Sequence, residues 1–305
     1  MKVLIPGGSG LVGRTLVREL TSRGHSCVIS SRRPEAVSGF PAGTELVAWS
    51  GTSAEGLQST LEGVDAVVHL AGESIGAGRW TEARKRSILD SRTQSTRALT
   101  AALLAVGNSK IALVQASAVG LYGPRAGEEI SEDASAGSDF LARICREWEA
   151  ASASVEEAGL RRVVIRSGVV LSRNGGALPK MLMPFRFFAG GPLGDGRQVV
   201  PWIHIADEAA AICFLLEDQQ VRGPFNLVAP GAVTNRQLGQ TIGKVLGKPS
   251  RLPTPAFAMR MMLGEMSTLV LDGQRAIPQR LLAAGFGFRF PDLESALRDL
   301  LGSSS

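Results

Sequence analysis

The chain has 305 residues, 44% hydrophobic and 20% charged, the composition of a globular protein with material for a large core and one to two domains. Its 33 basic and 28 acidic residues give a net charge of +5. They are dispersed, with no block of like charge that would read as a nucleic-acid or membrane arm, and a basic balance suits an anionic ligand. Cys27, Cys145 and Cys213 are far apart and in no metal spacing, so a reducing cytoplasmic compartment and no metal are expected. No apolar run reaches the eighteen or so residues of a membrane span, and Met1 leads straight into a strand with no leader expected before it.

Residues 2–13 read Lys-Val-Leu-Ile-Pro-Gly-Gly-Ser-Gly-Leu-Val-Gly. Val3, Leu4 and Ile5 suit a buried parallel strand. Gly7, Gly10 and Gly13 follow at three-residue spacing, and Leu11, Leu16, Val17 and Leu20 begin a helical stripe. A strand turning through glycines into a helix offers unpaired N–H groups and a positive dipole end, and the missing Cβ atoms let a pyrophosphate approach. The bland reading is a glycine-rich turn that packs a helix on a sheet.

The helix is expected to end at Arg23-Gly24, and residues 25–31 form a second strand closed by Ser30-Ser31-Arg32-Arg33-Pro34. In a dinucleotide fold this strand end meets the adenosine ribose. NAD-preferring sites carry an acid there, which would repel a 2′-phosphate. Here no acid precedes Glu35, while Arg32 and Arg33 offer cationic forks and Ser31 a hydroxyl, so NADP is favoured over NAD. A solvated basic turn is the alternative.

Residues 45–49 read as a third strand and 65–72 as a fourth, ending in small residues that let a cofactor lie against the backbone. His69 there reads as a packed strand-end histidine. Residues 80–106 form an amphipathic helical stretch expected in two pieces. Residues 111–117 are a strand, 139–158 a helix and 161–171 another strand. Six strands alternating with helices define an α/β doubly wound parallel sheet of Rossmann type. Beyond Leu171, glycine-rich breaks lead to Pro201-Trp202-Ile203-His204-Ile205, an apolar helix over 209–216, a strand over 225–228 and a helix over 237–246. Residues 253–301 are helical and Met-rich, with Met259, Met261, Met262 and Met266 read as core filling, the favoured reading, or as one wall of a pocket. Residues 302–305 are expected to be disordered.

These residues resemble the atypical extended short-chain dehydrogenase/reductases, in the "epimerase family protein" subgroup related to nucleotide-sugar epimerases and carrying a C-terminal segment of unknown function. The likeness rests on residues 7–13, Ser31-Arg32, Leu70-Ala71-Gly72-Glu73, Arg79-Trp80, Ser91-Arg92, Trp148-Glu149, 166–171 and 201–205, with Gly273-Gln274-Arg275 and Ala284-Gly285-Phe286 in the C-terminal segment. It implies bound NADP(H) and a small-molecule substrate site, with Gly7, Gly10, Leu11, Val12 and Gly13 at the pyrophosphate and Ser31 and Arg32 at the 2′-phosphate. It further implies Leu70 and Ala71 under the adenosine side, Arg92 as a cofactor contact and Val169 near the nicotinamide. The expected organisation is an NADP-binding domain over 1–171, with 197–228 returning to it, and a smaller substrate-binding α/β region over 172–196 and 229–301. A homodimer stays open.

Members of that family catalyse with Tyr-x-x-x-Lys, the tyrosine acting as acid/base. This chain has one tyrosine, Tyr122, and Ala126 stands four residues on. Counting back from Glu149, Leu141 and Cys145 occupy the family's positions. Ser117, at its strand end, and Tyr122 are the remaining candidates for proton handling; Lys85, His204 and Glu73 are weaker. Two functions follow: an NADP-dependent oxidoreductase or epimerase of a carbonyl or hydroxyl substrate, or a non-catalytic NADP(H)-binding sensor or partner-binding module.

Overall fold

In a computed structural model of the protein, which describes residues 1–125 and 127–302, the glycine turn opens the architecture. Strand β1 (Lys2–Pro6), buried from Val3 onward, passes through it into helix α1 (Leu11–Ser22), which buries Leu16, Val17 and Leu20. Strands β2 (Ser26–Ser31), β3 (Glu45–Ala48) and β4 (Ala66–His69) follow, then helix α2 (Glu82–Val106) and strand β5 (Ala112–Ala118). Next come α3 (Phe140–Ala150), β6 (Arg162–Ser167), β7 (Val169–Leu171), α4 (Leu178–Arg186), β8 (Trp202–His204), α5 (Ile205–Glu217) and β9 (Gly223–Leu227). Helices α6 (Asn235–Leu246), α7 (Ala256–Leu263) and α8 (Leu293–Leu301) end the chain.

Seven strands form one sheet in the order β9-β6-β5-β4-β1-β2-β3, and every pairing is parallel. Chain order reverses between β4 and β1, the topological switch point where open α/β sheets bind ligands. Helices cover both faces: α1 and α5 pack with one apolar cluster, α2 with the other, as a fully buried parallel sheet requires.

Four expectations are corrected. Residues 82–106 form one 25-residue helix and not two pieces. The run holds no Gly or Pro, the Thr81 side chain caps its start by accepting from the Arg84 N–H, and Gly107 at φ 65 ends it. The 139–158 helix divides: α3 ends at Ala150 and, after a turn in which the Ser152 hydroxyl bonds inward to Gln115 and Arg162, a short helix runs over Ser154–Glu157. The 161–171 strand breaks at Gly168: a Cβ there would lie 2.5 Å from the Pro201 carbonyl, so β7 leaves the main sheet and pairs with β8. In the methionine cluster only Met259 is buried, while Met261 and Met262 stand exposed. The expectation for the tail falls, beyond Gly302, outside the described residues.

Candidate functional site

The carboxyl ends of β1, β2, β3 and β4 surround a cleft of about 510 Å³. Its floor is the glycine turn. Gly8 N–H donates to Ile5 O and Gly10 N–H to Gly7 O, each at 3.0 Å, winding the backbone tightly from strand to helix. Gly7 sits at φ +84, and a Cβ there would fall 2.6 Å from the Ala71 nitrogen; only glycine lets this turn meet the end of β4. Gly13 serves packing, since a Cβ would meet Gly8 at 2.5 Å. No side chain caps the N-terminus of α1, leaving its first N–H groups without an intrahelical acceptor.

Of the expected cofactor residues, Gly7, Gly10, Ser31, Arg32, Leu70 and Ala71 line the cleft. Leu11, Val12, Gly13, Arg92 and Val169 are not among its lining residues. Leu11, Val12 and Val169 turn their side chains into an apolar cluster, which leaves the two α1 residues only backbone N–H groups to offer. Arg92 lies behind the wall: its guanidinium stacks 5.0 Å over Trp148, donates to Ile88 O at 3.0 Å and abuts Gly72. Burial pushes that guanidinium down from its ordinary value.

Sequence reasoning missed two parts of the wall. One is Trp49-Ser50-Gly51-Thr52 beyond β3; the other is Ser87, Asp90, Ser91, Gln94 and Ser95 on α2. The latter recur at three- and four-residue intervals, a polar stripe on one helix face that periodicity could have revealed. Glu73 is turned to this helix, held by Arg84 and Ser87. The Ser87 hydroxyl and then Arg84 keep its carboxyl below the usual range. His69 is buried with Trp49 edge-on at 6.4 Å, and desolvation lowers it to about 4. It is a neutral packed histidine.

The two candidates for proton handling, Ser117 and Tyr122, are both buried. Ser117 is 4% exposed and donates to Glu149 Oε1 at 2.6 Å. Tyr122 is 1% exposed; its hydroxyl donates to Asn226 Oδ1 at 2.7 Å and accepts from Arg166 at 3.0 Å. Arg166 grips Glu149 with two nitrogens, at 3.0 and 2.9 Å. Burial works against the charge on Arg166, but the bonds and charge of Glu149 hold its pKa above the ordinary value. Burial likewise raises Tyr122 and pushes Cys145 up to about 12. Both candidates thus belong to an interior network on β5, β6 and α3, and neither side chain lines the cleft. Lys85 pairs with Glu82 and Glu265, and His204 caps α5 by accepting from the Ala206 N–H at 3.0 Å.

A doubly wound parallel sheet with a glycine turn at its switch point defines a dinucleotide-binding protein of Rossmann type. The chain belongs to the NAD dependent epimerase/dehydratase family, whose profile matches residues 3–228. A domain of unknown function, DUF1731, matches residues 254–300. The human epimerase family protein SDR39U1 is 38% identical over 305 residues, covering 99% of this chain and 100% of that protein. The Bacillus subtilis epimerase family protein YfhF is 39% identical over 302 residues, covering 99% and 98%. A crystal structure of human SDR39U1 (isoform 2) with NADPH superposes at a TM-score of 0.88 with 35% identity, covering 100% of both chains. The Thermus thermophilus UDP-glucose 4-epimerase complex with NAD, at 18% identity and a TM-score of 0.76 over 99% of this chain and 98% of that one, shares the fold.

Proposed function

We propose that the cleft holds NADP(H) and that the protein is an epimerase-like oxidoreductase of a small carbonyl or hydroxyl compound. The observation that carries the cofactor is the placement of Ser31 and Arg32 on the wall, on the same cleft as Gly7 and Gly10. No acid follows β2 before Glu35, so a 2′-phosphate meets a cation fork and a hydroxyl and no carboxylate at that strand end. The residues fit the group: the Gly7 contact with Ala71 keeps the floor low, and the uncapped start of α1 directs N–H groups at a pyrophosphate. Leu11, Val12 and Gly13 would serve through their backbones, Leu70 and Ala71 against the adenosine side, and Arg92 and Val169 from behind the wall. NADPH supplies a hydride from its nicotinamide ring.

The substrate region falls to 172–196 and 229–301, packed over the carboxyl edge. The loop after β4 is tied to it: Arg79 donates to the Met261 and Met262 carbonyls, and Trp80 shares a cluster with Met266 and Leu269. With Tyr-x-x-x-Lys absent, proton transfer in this reading falls to a group carried by substrate or water, with Ser117 and Tyr122 holding β5 and β6 in place through Glu149 and Arg166.

A second reading, a non-catalytic NADP(H) sensor or partner-binding module, is favoured by the burial of both hydroxyls. Titrating NADPH and NADH by nicotinamide fluorescence tests the cofactor: NADPH binds with clear preference, and equal affinities overturn the reading. Single-turnover oxidation of bound NADPH against a panel of carbonyl compounds separates enzyme from sensor.

A further inference from the structure

Ten large hydrophobic side chains are exposed among the described residues, and seven of them fall in two short segments. Met183, Phe187 and Phe188 come from the end of α4 and the turn after it. Leu252, Phe257, Met261 and Met262 come from the run into α7 and that helix itself. The segments are about 60 residues apart in the chain but joined in space. Arg251 and Leu252 donate to Gly190 O at 2.9 and 3.1 Å, and Leu193 bridges Thr254. None of the seven lines the cofactor cleft.

The turn is built to hold aromatic rings outward. Phe185 is buried against Gly190, whose Cβ would collide with the ring. The chain then reverses through Phe188 at φ 58, the one non-glycine residue of positive φ among those described, leaving Phe187 76% and Phe188 61% exposed. A bulky residue in that conformation is strained, and the strain secures no burial for its own ring.

Cations predominate within the two segments. Residues 178–194 and 247–264 contain Lys180, Arg186, Lys248, Arg251 and Arg260 and no Asp or Glu; of the flanking carboxylates, Glu265 pairs with Lys85, Asp272 lies near Arg260, and Asp195 is exposed. Lys248 Nζ lies 4.7 Å from the centre of the Phe188 ring. We propose that this face docks on the anionic headgroup surface of a lipid bilayer, with Phe187, Phe188 and the α7 side chains entering the interface and Arg186, Lys248 and Arg251 meeting the phosphates; Lys180 donates to the Gly76 carbonyl at 2.8 Å and Arg260 lies near Asp272. Aromatic and methionine tips among lysine and arginine are the chemistry of an interfacial anchor. Pairing with a second copy across a two-fold axis would bring two net-positive patches together, whereas an anionic surface complements them. The dispersed charge that excluded a membrane arm in the sequence is gathered here by the fold.

Flotation of the full-length protein with phosphatidylcholine vesicles, with and without phosphatidylglycerol, tests the proposal. The protein is expected to float with the anionic vesicles only and to be released by high salt. Phe187→Ser combined with Phe188→Gly lowers the partition coefficient about tenfold or more. Lys248→Gln and Arg251→Gln lower it about fivefold each. Leu282→Ser, at an exposed leucine elsewhere, leaves it unchanged. Because glycine releases the φ strain at 188, that variant keeps its Tm, which separates loss of binding from loss of fold. Failure to float, equal binding to neutral vesicles, or an association unaffected by the Phe substitutions overturns the proposal. So does a dimer in solution that the same substitutions dissolve, which makes the face a contact between copies.

Discussion

The Tyr122 hydroxyl lies 2.7 Å from the Asn226 side-chain oxygen, joining the loop after β5 to the edge strand β9. Asn226 has no exposure and donates from its amide to Ile277 O at 3.0 Å, so this contact extends to the C-terminal segment. The chain's one tyrosine is thereby a tie between parts of the fold. Tyr122→Phe leaves Asn226 Oδ1 and one Arg166 N–H without that partner in the interior, at a cost of about 1–3 kcal/mol. A lower denaturation midpoint with unchanged NADPH affinity is expected from urea melts and fluorescence titration. Unchanged stability with lost turnover would return Tyr122 to catalysis.

Arg32→Ala separates the two nicotinamide cofactors. The side chain is exposed into the cleft, so its removal takes away a charge-assisted contact worth roughly 1.5–3 kcal/mol and costs no packing. NADPH affinity should fall about ten- to a hundredfold and NADH affinity hardly change. An equal loss for both cofactors would place Arg32 away from the 2′-phosphate.

Gly7→Ala and Gly43→Ala share a φ of +84, but only the first would meet another chain segment, at 2.6 Å from Ala71. Gly43→Ala carries the backbone strain alone, about 1 kcal/mol. Gly7→Ala adds displacement of the end of β4 and should lower Tm further and abolish NADPH-induced stabilisation. Scanning fluorimetry of both variants, with and without NADPH, checks this; equal effects would show that the close approach of turn and strand is unimportant.

Two buried groups set the pH dependence of stability. Desolvation holds Glu208 at about 8 against an ordinary 4.5. The unfolded chain releases that proton first, so stability is full below 4.5 and is lost as pH rises towards 8. His69, lowered from 6.5 to about 4, acts on the acid side: the unfolded chain takes up the proton first, and stability falls as pH drops through that interval. Glu208→Gln should flatten the decline of Tm on the alkaline side and leave the acid side as it is. A variant that keeps the wild-type alkaline slope would show that another group sets it.

The strands of the main sheet were legible because a buried parallel strand is a continuous apolar run, and Val3–Ile5, Ala66–Val68 and Val163–Ile165 are nothing else. The cleft floor was legible because glycine spacing between a strand and a helix has few other uses. The α2 stripe from Ser87 to Ser95 was legible only as a polar helix face, since its spacing shows one side of a helix but serines look the same whether that side meets solvent or a cleft. The break at Gly168 was hidden as well, because the Pro201 carbonyl that forbids a Cβ there is more than thirty residues away in the chain.

By itself the sequence determined that this protein is a doubly wound α/β chain with a glycine turn before its first helix, a cationic end to its second strand, and no Tyr-x-x-x-Lys. These are local facts, carried by residue type and spacing. Burial was decided only in three dimensions: Ser117 and Tyr122 turn to Glu149, Arg166 and Asn226 because β5, β6, β9 and α3 converge there. The cationic, apolar face at Phe187, Phe188 and α7 exists because backbone bonds at Gly190 and Thr254 join two segments that neither composition nor periodicity links.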